Sequence, residues 1–185
     1  LNGSDMYQNI LVTGGCGFIA SNFINDYFRH NPSCRIINID AMYYCANIEN
    51  IDLEIRTSPR YKFIKGNICN YDLVSEILNT HEIDCVLHFA AQSHVQNSFE
   101  NALLYTQDNV LGTHTLLHCV KEYGKIKRFI HVSTDEVYGE SLLGEDETKK
   151  TESSILCPTN PYAATKGAAE LIAQSYFRSF NLPII

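Results

Sequence analysis

No stretch of this 185-residue chain approaches the ~20 consecutive apolar residues that a membrane-spanning helix needs. It has no long basic run, and its formal net charge is −7, so neither nucleic acid nor anionic membrane is an expected partner. A charged-then-apolar leader is also missing, and nothing points to secretion. The seven cysteines (Cys16, Cys34, Cys45, Cys69, Cys85, Cys119 and Cys157) contain no Cys-x-x-Cys and are scattered evenly. They read as small, reduced core or near-core residues of a cytoplasmic protein. His114 and His118 share a helical spacing, with Cys119 adjacent, but no known zinc pattern is completed beside them, and no metal is expected. His88 and His131 lie in apolar strand patterns and read as core histidines with backbone partners.

What the chain does contain is regular alternation. Strands are expected over 9–13, 35–39 ending at Asp40, 61–65, 85–89 and 128–133. Helices are expected over 18–29, 47–55, 71–80, 103–123 in one or two pieces with Gly124 as the stop, and 162–180 opened by Asn160-Pro161. Such alternation predicts an α/β fold, a doubly wound parallel sheet with helices on both faces. Residues 139–159 lack periodicity, and Glu145, Asp146, Glu147, Lys149, Lys150 and Glu152 read as solvated surface; loops longer than ~12–15 residues are usually functional or disordered. Residues 1–5 precede Met6 and read as a cloning scar. Residues 182–185 read as the opening of a sixth strand, so the fold is expected to be truncated there, as in a piece of a longer protein.

The first strand runs into Gly14-Gly15-Cys16-Gly17-Phe18-Ile19-Ala20, a Gly-x-x-Gly-x-x-Ala loop that opens a helix. Glycines let the backbone turn tightly and approach a pyrophosphate resting on the positive end of that helix. Asp40 ends the second strand, where a carboxylate accepts ribose hydroxyls and repels a 2′-phosphate. The expected cofactor is NAD, in a Rossmann-type domain over 6–185. Tyr162 and Lys166 are four apart on one helix face, and an ammonium there lowers the phenol pKa toward that of a usable base. Asp135 and Glu136 are neighbours; on extended backbone their side chains diverge, which suits an acid and a base acting on adjacent carbons. Taken alone they are equally a pair of solvated loop carboxylates.

These residues, with 88–95, 109–113 and 133–139, make the chain resemble the extended short-chain dehydrogenase/reductase family. Within it they resemble most the nucleotide-sugar 4,6-dehydratases of the dTDP-glucose type. The Thr134-Asp135-Glu136-Val137-Tyr138-Gly139 string is the discriminating part. The resemblance implies a nucleotide-sugar substrate, a homodimer, and a C-terminal substrate domain absent from this chain. It implies NAD contacts from Gly14, Gly17, Phe18, Ile19, Asp40, Asn67, Ile68, Phe89, Ala90, Ala91, Asn109, Tyr162 and Lys166. It implies sugar contacts from Ser93, His94 and Thr134. In the implied cycle Tyr162, helped by Lys166, takes the 4-hydroxyl proton as the C4 hydride leaves for NAD. Glu136 removes the C5 proton, Asp135 protonates the departing C6 hydroxyl, and hydride returns to C6. Departures from the family pattern are Asn67 in place of an aspartate, Gln96-Asn97 in place of Asp-Arg, Ala41 after Asp40, and Ala20 in place of a third glycine. A UDP-sugar 4-epimerase or decarboxylase remains an alternative, as does a non-catalytic NAD-binding module.

Overall fold

The computed structural model describes residues 7–140 and 149–185. Its strands are β1 Asn9–Thr13, β2 Arg35–Asp40, β3 Tyr61–Lys65, β4 Cys85–His88 and β5 Arg128–His131. Its α-helices are α1 Phe18–His30, α2 Leu53–Arg56, α3 Tyr71–Thr80, α4 Val95–Glu100, α5 Ala102–Tyr105, α6 Gly112–Tyr123 and α7 Pro161–Phe180. The strands form one parallel sheet in the order β3-β2-β1-β4-β5. The order reverses between β1 and β4, which opens a crevice at their carboxyl ends. This is the doubly wound α/β fold that the alternation predicts.

The central strands are apolar on both faces, as parallel strands covered on both sides must be. Ile10, Val12, Ile36, Cys85 and Leu87 pack with Ala20, Ile24 and Phe28 of α1 and Ile55 of α2. Leu11, Ile37, Ile39, Val86 and Phe129 face α3, α6 and α7 through Val74, Ile77, Leu116, Leu117, Val120, Ala173 and Tyr176. Residues 182–185 lie alongside β5. The Phe129 amide donates to the Pro183 carbonyl at 2.8 Å, and the Ile185 amide donates to the Phe129 carbonyl at 2.9 Å. They pair there as the start of a sixth strand should.

Several elements differ from expectation. The helix expected over 47–55 divides into a 3₁₀ turn, Ile48–Asn50, capped by Asn47, and α2, because the backbone leaves the helical region at Ile51 and Asp52, with ψ 126° and 142°. The helix expected over 103–123 begins as α5, passes through a π-helical segment at Thr106–Leu111, and continues as α6 to Gly124 at φ 67°. The π segment turns Asp108 and Asn109 inward, where both are buried. α4 was not expected; Val95 and Phe99 are its only apolar residues, and six residues are too few for a helical period to show. β4 and β5 stop at their histidines, short of Phe89 and Ser133, where the chain leaves the sheet for the crevice.

Cys16, Cys34, Cys85 and Cys119 are buried, Cys69 is half-buried, and Cys45 and Cys157 are exposed, so the core assignment fails for the last two. All seven are free thiols. His88 is buried, but its partners are hydroxyls rather than backbone: Thr13 Oγ1 at 2.7 Å and Thr113 Oγ1 at 2.8 Å. His131 has no hydrogen-bond partner for either ring nitrogen among the described residues. His114 and His118 both face the Tyr176 hydroxyl, at 3.1 and 3.4 Å. Lys149, Lys150 and Glu152 are exposed, as surface residues should be. Residues 1–5, Glu145, Asp146 and Glu147 lie outside the described residues. No described helix is long and apolar enough to cross a membrane.

Candidate functional site

The loop after β1 is built by close approach. Gly14 sits at φ 70°, and a Cβ there would lie 2.7 Å from the Ala90 Cα, so only glycine lets the loop lie against the chain leaving β4. The Gly15 amide donates to Asn38 Oδ1 at 3.0 Å and the Cys16 amide to Asp40 Oδ2 at 2.9 Å. α1 then starts at Gly17 with no side-chain cap and no acidic residue in its first turn. Its free first-turn amides and positive end suit an anion. A Cβ on Gly17 would meet only the Gly14 carbonyl, at 3.3 Å, so the loop is open on the groove side. The backbone cradle and the uncapped helix end therefore fit a dinucleotide pyrophosphate.

Asp40 is fixed at both oxygens: Oδ1 accepts the Met42 amide at 2.8 Å and Oδ2 the Cys16 amide. Each oxygen keeps acceptor capacity for a ribose hydroxyl. The carboxylate borders a groove of about 420 Å³ along the carboxyl ends of the strands. Gly14, Gly17, Phe18, Ile19, Asp40, Asn67, Ile68, Phe89, Ala90, Ala91, Ser93, Tyr162 and Lys166 all line it. Asn109 does not. It is buried behind the wall, where its side chain holds the Gln92 amide at 2.7 Å, the Gln92 carbonyl at 2.9 Å and Thr165 Oγ1 at 2.9 Å. These three bonds make it a support of the wall.

At the far end of the groove α7 presents Tyr162 and Lys166. Asn160 caps α7 by accepting the Ala163 amide at 2.8 Å, and Pro161 occupies the first turn. The Lys166 ammonium donates to the Val132 carbonyl at 2.6 Å. Burial pushes it down to about 8, against the pull of Glu170. The Tyr162 phenol is raised, chiefly by burial, with Glu136 and Asp135 adding to the rise and a bond with Thr134 opposing it. This corrects the expectation of a phenol lowered by Lys166: the ammonium is committed to a backbone carbonyl, and burial dominates.

The acid pair lies on a 3₁₀ turn, Asp135–Tyr138, not on extended backbone; only Thr134, its cap, is extended. A 3₁₀ turn sets successive residues ~120° apart, so the two side chains still diverge. Asp135 is exposed, 3.4 Å from Thr134 Oγ1, and Glu136 Oε2 accepts the Asn160 amide group at 2.9 Å. Thr134, Asp135 and Glu136 thus gather beside Tyr162, just outside the groove lining. His94 is exposed and also outside that lining; its carbonyl accepts the Tyr105 hydroxyl at 2.7 Å.

Sequence reasoning missed Gln92, Asp108 and Glu170. Asp108 accepts from Asn67 at 3.0 Å and from Gln92 at 2.9 Å; the signal for it was a charged residue inside an otherwise inward-facing helical position. Glu170 accepts Ser133 Oγ at 2.8 Å, and its signal was its place one turn after Lys166. Among the described residues no cluster of His, Cys, Asp and Glu could hold a metal.

Comparison with known proteins agrees with this geometry. A trifunctional UDP-glucose 4,6-dehydratase/UDP-4-keto-6-deoxy-D-glucose 3,5-epimerase/UDP-4-keto-L-rhamnose-reductase of Arabidopsis thaliana is 50% identical over 179 residues, covering 96% of this chain and 26% of that protein. The dTDP-D-glucose 4,6-dehydratase of Homo sapiens is 46% identical over 178 residues, covering 96% of this chain and 49% of that protein. The chain therefore spans at most about half the length of these relatives. The crystal structure of DesIV, a dTDP-glucose 4,6-dehydratase from Streptomyces venezuelae with NAD and TYD bound, superposes with a TM-score of 0.86 at 39% identity, over 96% of this chain and 54% of that one. A family model described as GDP-mannose 4,6 dehydratase matches residues 11–185, and the chain belongs to that family.

Proposed function

We propose that this chain is the NAD-binding part of a nucleotide-sugar 4,6-dehydratase that converts a nucleotidyl-glucose to its 4-keto-6-deoxy form. The observation that carries the reading is that the turn bearing Asp135 and Glu136, capped by Thr134, packs against α7, with Glu136 bonded to Asn160 two residues before the buried Tyr162. An epimerase needs the tyrosine and lysine, but the adjacent acid pair favours elimination of water. NAD, when bound, supplies a reversible hydride acceptor. The uncapped start of α1 holds its phosphates and Asp40 its ribose. Tyr162 takes the proton from the sugar 4-hydroxyl, and Thr134 orients that oxygen. To take that proton the raised Tyr162 phenol must first ionise, which the positive charge of bound NAD and the Lys166 ammonium bordering the same groove would favour. Glu136, steadied by Asn160, removes the C5 proton, and Asp135, facing solvent, delivers one to the C6 hydroxyl, which departs as water; the hydride would then return to C6 and a proton to C5, giving the 4-keto-6-deoxy sugar. Residues 6–185 act as one dinucleotide-binding unit, and the sugar and its nucleotide are gripped mainly by the additional length that the relatives possess.

The two relatives named above support glucose carried on UDP or dTDP. The test is to incubate the full natural protein with dTDP-glucose, UDP-glucose and GDP-mannose and to assay the 4-keto product, with Asp135→Asn as the variant expected to stall after oxidation at C4. No 4-keto product from any of the three sinks the proposal. We also propose a homodimer. Exposed Leu103, Leu104 and Leu111 lie on helical segments that pack against α7, which exposes Leu171 and Phe177. Light scattering of the purified protein, with Leu103→Lys and Phe177→Glu as disrupting changes, tests this. A cytoplasmic location fits the seven free thiols and is tested by cell fractionation.

A further inference from the structure

The groove continues past Asp40 toward β3. With phosphates on the loop after β1 and a ribose on Asp40, the base of the dinucleotide falls over 66–68, between Asp40 and the π segment. Four side chains meet there. Asn67 donates both amide protons, to the Tyr43 hydroxyl at 3.1 Å and to Asp108 Oδ1 at 3.0 Å. Its own oxygen accepts the Cys69 amide at 2.8 Å. Gln92 donates to Asp108 Oδ2 at 2.9 Å. Asn67 thus has no proton left for a base, and Gln92 has turned one of its own away from the groove.

Asp108 is the charged member of the cluster. It is buried to 8% exposure yet lines the groove. A carboxylate has about four acceptor sites, and these two bonds leave capacity over. An acceptor-only group at the edge of a base slot matches a base edge that donates, and it repels one that carries an oxygen. We propose that Asp108 selects the base of the dinucleotide: its carboxylate accepts the exocyclic amino group of adenine and rejects a 6-oxo purine. The proposal rests on reading the groove as an NAD site and names the group that makes this site adenine-specific.

The full natural protein is titrated calorimetrically with NAD and with nicotinamide hypoxanthine dinucleotide, which differs only in carrying oxygen for the 6-amino group. The native protein is expected to bind NAD at least about 10-fold more tightly, and Asp108→Asn to bring the two within about 3-fold, because an amide presents either a donor or an acceptor. A crystal structure of the native protein with NAD supplies a measurement that does not depend on the variant folding, with the adenine amino nitrogen expected within about 3.2 Å of an Asp108 oxygen. Equal affinity of the native protein for the two dinucleotides, an undiminished preference in Asp108→Asn, or an amino group remote from Asp108 overturns the proposal. Failure of the native protein to bind either dinucleotide instead overturns the reading of the groove on which the proposal rests.

Discussion

Lys166 holds its ammonium where little water reaches it, against one backbone carbonyl and one turn before Glu170. Burial and the Glu170 charge pull its pKa in opposite directions, with burial the stronger. Glu170→Gln keeps an acceptor for Ser133 but removes the charge, so Lys166 is expected to titrate lower still than about 8. Carbon-detected NMR of labelled lysine reads this directly, and an unmoved titration would show that Glu170 does not act on the ammonium. Tyr162 carries the proton transfer, and positioned proton transfer contributes about 10²–10⁴-fold. Tyr162→Phe should therefore lower turnover by that order while leaving the melting temperature within a few degrees of the native value. Glu136→Gln should instead leave oxidation at C4 intact and stop exchange of the C5 proton with solvent, which deuterium incorporation measures. Equal loss of every step in both variants would contradict this division of roles.

At the scale of elements, the bounds of β1, β3 and α3 match those read from the sequence, because each is a single apolar pattern set off by polar or turn residues. The phosphate loop was legible for the same reason: glycines between a strand and a helix have few other uses. α4 was not, since six mostly polar residues carry no period. Nor was the π segment, since a one-residue change in helical pitch leaves almost no trace in a pattern of apolar positions. Its effect on the site is large, because it places Asp108 and Asn109 under the loop that leaves β4. The 3₁₀ turn at Asp135 escaped because two adjacent acids fit extended or turning backbone equally well. The loop after β1 permits a sharp test. Gly14→Ala would place a methyl 2.7 Å from the Ala90 backbone in a left-handed conformation. Non-glycine residues in such regions cost roughly 1–3 kcal/mol before any clash is added. Denaturant melts should show at least that loss, and NAD affinity should fall with it. A variant as stable as the native protein would mean that the loop does not press on β4 as described.

Across the whole molecule, buried titratable groups set how stability depends on pH. Burial lowers His131 from 6.5 to about 3, and Lys166 adds to the shift. His88 is lowered well below 6.5 by burial, with His131 and Lys166 adding. Both rings must stay neutral to remain folded, so the unfolded chain binds more protons below about 6.5, and stability falls as pH drops from there. On the alkaline side, burial raises the thiols of Cys16 and Cys34 to about 11 and of Cys85 to about 12. The unfolded chain releases those protons first, so stability falls as pH rises above 9. Lys166 opposes this: its folded pKa is depressed, so the fold gains between about 8 and 10.5, but one amine is set against three thiols. The expected curve peaks between about pH 8 and 9 and declines on both sides. The acid limb can be assigned to a residue. His131 has no hydrogen-bond partner for either nitrogen among the described residues, so replacing it with leucine removes a buried polar group and breaks no bond seen there. His131→Leu should be more stable than the native protein at pH 5.5, and its acid limb should be shallower by about 1.4 kcal/mol per pH unit, one proton's worth. Urea melts in reducing buffer from pH 5 to 10.5 measure both limbs. An unchanged acid slope in His131→Leu would mean that His131 is protonated in the folded protein and has a partner there.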